Sequence, residues 1–265
     1  MQPSDLVINF TIVWSWFLLF TRLSTMLIVL PGIGTTQVPG IYRVIGSASI
    51  AICAVAGGFR AASPESYLQG GMMVALEATL GFCLGIIPAL MMTGVAVAGQ
   101  VTTASIGLGA ANLIDPSLGE SVGILARLQT MLATIIFLVI DGHHIIIRAA
   151  LSTLQDAGSP MFSASSTLAH TMLERFSATF ELAVTIAAPI LVTVLVTNFI
   201  LGLVTKFIPQ FNIFIISLPL TIGIGLFIVA YTFTGFARHT VSALLPLEET
   251  CLEIITVFGQ FLKLI

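Results

Sequence analysis

The sequence predicts an all-α, polytopic membrane protein with about six long hydrophobic helical segments, some of them kinked or broken, built as helical hairpins. The first supporting observation is composition: the 265 residues are 57% hydrophobic and 8% charged, with a mean hydropathy of +1.09. A soluble domain carries roughly 25% charged residues, so this chain has too few charges to coat a soluble surface. The second observation is a set of six apolar stretches, most of which reach the ~20 residues that cross a hydrocarbon core as a helix.

The apolar stretches are separated by segments with turn chemistry. Pro88 lies inside the third stretch and predicts either a kinked helix or two pieces. Region 149–175 is the most polar part of the chain and is interpreted as a connection, while Lys206, Pro209 and Gln210 mark the turn of the last hairpin. Residues 247–264 show apolar residues at helical spacing beside glutamates and predict a seventh, amphipathic helix. The six stretches are 6–31, 41–59, 68–99, 122–147, 176–205 and 211–236.

Composition also limits the function. The net charge is −3 and the nine Lys and Arg residues are scattered, so nucleic acid is not an expected partner. The three cysteines are far apart and form no CxxC, which disfavours a disulfide framework or a cysteine metal site. No G-x-S-x-G, H-E-x-x-H or P-loop motif occurs, so no catalytic residue and no cofactor is predicted. The first apolar stretch has no preceding basic residues and is interpreted as a retained span rather than a cleaved signal.

Several polar residues interrupt the apolar stretches. A charge at the centre of a bilayer costs about 2.5–3.5 kcal/mol on insertion scales, so such residues usually have partners. Arg22, Glu77, Arg127 and Asp141 are two bases and two acids, and with His143 they are interpreted as an internal polar network that fixes helix register. A proton or ion path is the functional alternative, and a position at the end of a span is the third.

The neighbouring His143 and His144 follow Asp141-Gly142. Adjacent residues on a helix point in different directions, so a hydrogen bond at a helix end is expected and a metal site is not predicted. Two glycine motifs, Gly81-xxx-Gly85 and Gly223-Ile224-Gly225, predict close helix packing, within this chain or between subunits.

The segment from Ser105 to Gly119 differs from the other connections. It has four small residues in the five positions from Gly107 to Ala111, and then the turn signal Asp115-Pro116. Non-helical backbone at membrane depth is tolerated only where it is buried in protein or lines a cavity. The segment is therefore either a loop that lines or closes a passage or an ordinary surface connection.

Several motifs occur in an order that resembles the FliR family, the flagellar member of the type III secretion export gate, whose virulence counterpart is SctT. The resemblance covers about residues 10 to 240, and Arg22, Arg127 and Lys206 fall where that family carries a basic residue. The motifs are Asp115-Pro116, Leu125-Ala126-Arg127, Asp141-Gly142-His143, Asn198 to Leu203, Pro209-Gln210, Phe214-Ile215-Ile216 and Pro219-Leu220.

The resemblance implies a non-enzymatic, pore-forming subunit that assembles with FliP and FliQ and contacts FlhB in the bacterial inner membrane, at the flagellar basal body. Unfolded flagellar export substrates would pass through the assembly. The chain would form one export-gate domain over 1–265, with a FliP-like part at about 1–175 and a FliQ-like hairpin and tail at about 176–265. Segment 106–120 would plug the closed gate, through Ile106, Gly107, Leu108, Gly109, Asn112, Asp115 and Pro116.

Two other functions are weighed beside this one. A virulence-type export-gate subunit would share the same motifs. A self-contained small-molecule transporter would explain the intramembrane charges, but it needs an ordered substrate site and alternating access.

Overall fold

The structure is a computed structural model that describes residues 3–34, 38–108, 123–152, 164–207 and 213–262. All regular secondary structure within these ranges is α-helical, as the sequence predicts. The helices are α1 (Pro3–Val29), α2 (Gly40–Ala56), α3 (Tyr67–Ile106), α4 (Ile124–Val139), α5 (Gly142–Ser152), α6 (Ala164–Phe207), α7 (Ile213–Tyr231), α8 (Phe233–Leu244) and α9 (Leu247–Leu262).

Three helices are long and apolar enough to cross a membrane, and two helix pairs that are bent at short breaks raise this to five. Helix α2 has only 17 residues and spans about 26 Å, less than the ~30 Å hydrocarbon core. The described part of the chain therefore offers three to five crossings among its hydrophobic segments. The long helices contain the candidate spans Phe10–Val29, Tyr67–Ile106 and His170–Phe207.

The two longest helices contain prolines that do not end them. Helix α3 runs for 40 residues through Pro88, so this stretch is one helix and not two pieces. Helix α6 runs for 44 residues through Pro189 and begins at Ala164, well before the predicted start at 176. A proline removes one backbone N–H, and neighbouring groups in an apolar helix can satisfy the carbonyl that it frees.

The predicted stretch 122–147 is broken where α4 ends and α5 begins. Asp141 adopts a φ of 58°, the left-handed conformation that ends a helix. The Asp141-Gly142 pair carries this turn, and the new helix starts at Gly142.

The chain forms two compact units. The first comprises 1–90, 138–175 and 245–265, and the second comprises 91–137 and 176–244. The predicted division into a part at about 1–175 and a part at about 176–265 stays a prediction. The likeness of the two parts to FliP and FliQ stays a prediction.

The first unit is built on α1, which packs against α2, α3 and α5. Ser24 and Ser47 hydroxyls lie 2.9 Å apart across α1 and α2, and Trp16 Nε1 donates to the carbonyl oxygen of Ala48 at 3.4 Å. Helix α9 packs on α5, and the prediction of an amphipathic helix there is confirmed. Its buried side comprises Leu247, Thr250, Cys251, Ile254 and Ile255, while Leu252 is exposed.

The second unit has a core where the end of α3 meets α4 and α6. Ile106, Leu125, Ile190 and Val194 are buried there, and Ile222, Ile228 and Val229 of α7 pack against them. The last residue of α3 is therefore fixed within this unit's core.

Candidate functional site: a buried ion pair and the start of the predicted plug

A buried ion pair joins α1 to α3 in the first unit. Arg22 Nε donates to Glu77 Oε2 at 2.5 Å, and Arg22 Nη2 donates to Glu77 Oε1 at 2.8 Å. The two residues are 2% and 5% exposed. This is the bidentate arrangement in which a guanidinium and a carboxylate bind most strongly.

The same guanidinium also reaches a third helix. Arg22 Nη1 donates to the backbone oxygen of Ala150 at 2.7 Å. Ala150 lies in the last turn of α5, where carbonyl groups lack partners within the helix. Arg22 thus joins α1, α3 and α5 at one point, and sequence reasoning had no signal for Ala150 because the acceptor is a backbone atom.

The backbones of α1 and α3 approach closely one and two turns after Glu77 along α3. A Cβ atom added to Gly81 would overlap the carbonyl oxygen of Arg22, and one added to Gly85 would lie 2.7 Å from the carbonyl oxygen of Met26. The prediction that Gly81-xxx-Gly85 packs helices within this chain is therefore confirmed. The glycines bring the helices near enough for the short hydrogen bonds between Arg22 and Glu77.

The other members of the predicted polar network lie elsewhere. Arg127 is exposed on α4 in the second unit, and Asp141 is exposed at the break between α4 and α5. Asp141 Oδ1 lies 3.0 Å from Nδ1 of His144. The structure thus brings together Arg22 with Glu77 and, separately, Asp141 with His144.

The two adjacent histidines do not diverge as expected. The ring centroids of His143 and His144 are 4.1 Å apart, and donor atoms of both rings and of Asp141 all lie within 4.8 Å of one another. Side chains on a helix lean toward its N-terminus. Both histidines lie in the first turn of α5, so no preceding helical turn stands between their rings. The spacing argument against a shared ligand therefore fails here.

The predicted plug begins at the end of α3. Ile106 is helical and buried, so it anchors the segment and is not part of the loop itself. Gly107 follows with a φ of 88°, a conformation open to glycine at no steric cost, and Leu108 is exposed. Residues Gly109, Asn112, Asp115 and Pro116 lie outside the described residues, as do Pro209 and Gln210 of the predicted hairpin turn.

The described residues on either side of this segment lie close together. A Cβ atom added to Gly123, just before α4, would overlap the side chain of Thr103 near the end of α3. Helix α7 packs on the same point, because a Cβ atom added to Gly225 would lie 2.5 Å from Cγ1 of Ile106. Leu218 of α7 also packs on Gly107, since its Cδ1 would lie 3.0 Å from an added Cβ atom. The described residues on both sides of the segment therefore lie at one well-packed place in the second unit.

Lys206 lies in the last turn of α6 and is exposed. A basic residue there is favourable for the negative end of the helix dipole. Among the described residues, Lys206 forms no salt bridge with a member of the predicted polar network.

A cavity that sequence reasoning missed lies within the second unit. Its volume is about 440 Å³, and Gln129, Thr185, Phe236 and His239 are among the residues that line it. Gln129 is 5% exposed, and within the described part of the chain its Oε1 has no hydrogen-bond partner. The sequence could have indicated this position, because Gln129 is a polar residue inside the apolar stretch 122–147.

Together the helices and the buried charges define the class of protein: a polytopic α-helical membrane protein with an internally neutralised ion pair. Residues 13–245 match the family described as Bacterial export proteins, family 1. The flagellar biosynthetic protein FliR of Bacillus subtilis (strain 168) is 26% identical over 215 residues, which cover 80% of this chain and 83% of that protein. FliR of Caulobacter vibrioides (strain ATCC 19089 / CIP 103742 / CB 15) is 28% identical over 226 residues, covering 83% and 88%.

A third relative comes from a different named system. The surface presentation of antigens protein SpaR of Shigella sonnei is 27% identical over 116 residues, 44% of each chain. The chain belongs to this family of bacterial export proteins, the FliR family, and is a membrane-embedded subunit of a type III export apparatus. The resemblance found in the sequence is thereby confirmed.

Proposed function

We propose that this chain is a non-enzymatic, pore-forming subunit of the flagellar type III export gate, and that segment 106–120 closes its passage. The observation that carries this proposal is the placement of that segment. In a chain of this export family, the described residues before and after the segment lie together in the second unit, with the left-handed Gly107 on one side and Gly123 against Thr103 on the other. A breaker-rich, apolar segment at such a place is suited to line or close a passage.

The apolar surface of α6 supports protein partners as well as lipid. Its candidate span, His170–Phe207, has 38 residues and is about 57 Å long, nearly twice the ~30 Å hydrocarbon core. Only 28% of its most apolar window is buried within the chain. Lipid tails cannot cover all of that surface, so we propose that FliP and FliQ cover the rest, with FlhB as a further contact, in the inner membrane at the flagellar basal body.

Two deletions of equal length test the closing segment. Removing 109–112 from the chain should leave assembly with FliP and FliQ intact, because the flanking contacts at Thr103, Gly107 and Gly123 remain. The same deletion should make the membrane permeable to small solutes, which a dye-uptake assay on cells measures. Removing 156–159 from the polar connection between α5 and α6 is the matched control and should leave the membrane sealed.

If the 109–112 deletion variant assembles normally and the membrane stays sealed, the proposal that segment 106–120 closes the passage is wrong. Leakage in both deletions would show that any loss of packing opens the assembly and that segment 106–120 has no special role.

A self-contained small-molecule transporter is the second candidate, and the cavity beside Gln129 and His239 is the observation that favours it. A transporter should purify as a stable monomer or symmetric oligomer. A gate subunit should co-purify with FliP and FliQ from detergent-solubilised membranes and lose stability without them. A virulence-type gate, suggested by the likeness to SpaR, would restore secretion in a strain that lacks its virulence gate subunit but not flagellar assembly in one that lacks FliR.

A further inference from the structure

The break between α4 and α5 places three metal-ligating side chains at one point of the first unit. Asp141, His143 and His144 each offer a ligand atom, and these atoms all lie within 4.8 Å of one another. The left-handed backbone of Asp141 turns the chain immediately before the first turn of α5, where both histidines stand. Two imidazoles and one carboxylate are the ligand set that divalent transition metals bind in many proteins.

The distance between two of the ligands already suits a metal. His144 Nδ1 and Asp141 Oδ1 are 3.0 Å apart. Two ligands of a tetrahedral ion, each with a bond of about 2.1 Å, are separated by about 3.4 Å, which is about 0.4 Å more than the distance found here. A cation can therefore replace the proton that these two atoms share, with little movement of either side chain.

The third side chain supplies an independent observation. Nδ1 of His143 is buried and has no hydrogen-bond partner among the residues that the structure describes. A buried polar nitrogen without a partner is uncommon and calls for an explanation such as an ion. Its ring lies beside that of His144, with centroids 4.1 Å apart, and one ring nitrogen of His143 lies within 4.8 Å of the ligand atoms of both other residues.

We propose that Asp141, His143 and His144 bind one divalent transition-metal ion, of the class that Zn²⁺ and Co²⁺ represent. Three protein ligands leave at least one coordination position open. Asp141 and His144 are exposed, so water or a side chain of a neighbouring subunit can occupy that position. Calcium and magnesium do not fit, because they prefer sets made of oxygen atoms alone.

The test uses the full chain, purified in detergent with an affinity tag that contains no histidine and stripped of metal with a chelator. Co²⁺ is titrated in and its visible absorption bands are recorded, because they respond to coordination by imidazole and carboxylate; Zn²⁺ is then added as a competitor. We expect one equivalent to bind. His143→Ala, His144→Ala and Asp141→Asn should each weaken binding by about tenfold or more, since even the loss of an outer partner of a metal ligand costs about that much.

A matched control exists on α6. His170 Nδ1 lies 3.5 Å from Glu174 Oε1 in an exposed pair without a second histidine, so His170→Ala should leave Co²⁺ binding unchanged. His143→Gln and His144→Gln keep a polar side chain of similar size, and circular dichroism verifies that each variant is folded. Binding by the folded triad variants with the affinity of the parent chain, or substoichiometric binding by the parent, would overturn the proposal.

Discussion

Replacing Glu77 by Gln removes one charge from the buried ion pair while keeping its volume. The Arg22 guanidinium then remains charged and buried, with the Ala150 carbonyl as its remaining strong acceptor. Breaking a buried pair by removing one partner costs about 3–5 kcal/mol, because the other charge is left uncompensated. The hydrogen bonds give the same scale, since each bond to a charged group is worth about 1.5–3 kcal/mol and two are weakened. Both side chains are almost fully buried, so solvent screening does not reduce this figure.

The assay is reversible unfolding of the full chain in mixed detergent, followed by far-ultraviolet circular dichroism and tryptophan fluorescence. Trp14 and Trp16 lie on α1, in the same unit as Arg22, and report on the affected packing. We expect the free energy of unfolding to fall by about 3–5 kcal/mol for Glu77→Gln. Glu65→Gln changes an exposed carboxylate just before α3 and should leave the unfolding midpoint unchanged.

A double variant separates the charge from the packing. Arg22→Met with Glu77→Leu removes both charges together, and replacing a whole buried pair by apolar residues is often neutral or stabilising. The double variant should therefore recover most of the free energy of unfolding that Glu77→Gln loses. The part that comes from the hydrogen bond between Arg22 and the Ala150 carbonyl is not recovered. A loss below about 1 kcal/mol in Glu77→Gln, or a double variant less stable than Glu77→Gln, would refute the reasoning.

Two glycine substitutions probe helix contacts, each with a control on the same helix. Gly81→Ala places a methyl group against the carbonyl oxygen of Arg22 and should cost about 1–3 kcal/mol in the same unfolding assay, whereas Gly71→Ala meets nothing within 4 Å and should be neutral or slightly stabilising. Gly225→Ala crowds the end of α3 and should reduce flagellar export, measured as secreted flagellin and swimming motility; Gly223→Ala meets nothing within 4 Å and should leave export unchanged. Equal effects within either pair would contradict the packing.

The sequence predicted the helices well because hydrophobicity sets their positions. It failed where a local signal competed with tertiary packing. The Ser- and Thr-rich run before residue 168 suggested a connection, yet α6 begins at Ala164. Ser and Thr have modest helix propensity and also favour helix starts, so their presence does not decide between loop and first turn. Pro88 is a similar case, since a proline costs one hydrogen bond and a 40-residue helix keeps the rest.

The charged residues show a second limit. The sequence identified Arg22 and Glu77 because charges inside apolar stretches need partners. It did not separate this pair from Asp141, because residue spacing along a chain does not give distances between helices. The sequence also predicted that the imidazoles of His143 and His144 point in different directions, as successive side chains do within a regular helix. That rule does not hold here, because both residues lie in a first helical turn that follows the left-handed Asp141. In the structure, Arg22 pairs with Glu77 apart from Asp141, and the rings of His143 and His144 lie side by side.

The two longest helices show that hydrophobicity alone does not separate surface that faces lipid from surface that packs within the chain. The apolar window of α3 is 61% buried within the chain, against 28% for that of α6. Much of the apolar character of α3 therefore records packing against its own chain, by contacts such as those at Gly81 and Gly85. Helix α6 is four residues longer but leaves most of its apolar surface uncovered, and a bilayer of ~30 Å covers about half of its length. If the chain assembles as proposed, the remaining apolar surface of α6 is where binding of a neighbouring subunit would bury the most apolar area. Substitutions to charged residues on its exposed side should therefore weaken assembly before they weaken the fold of the chain.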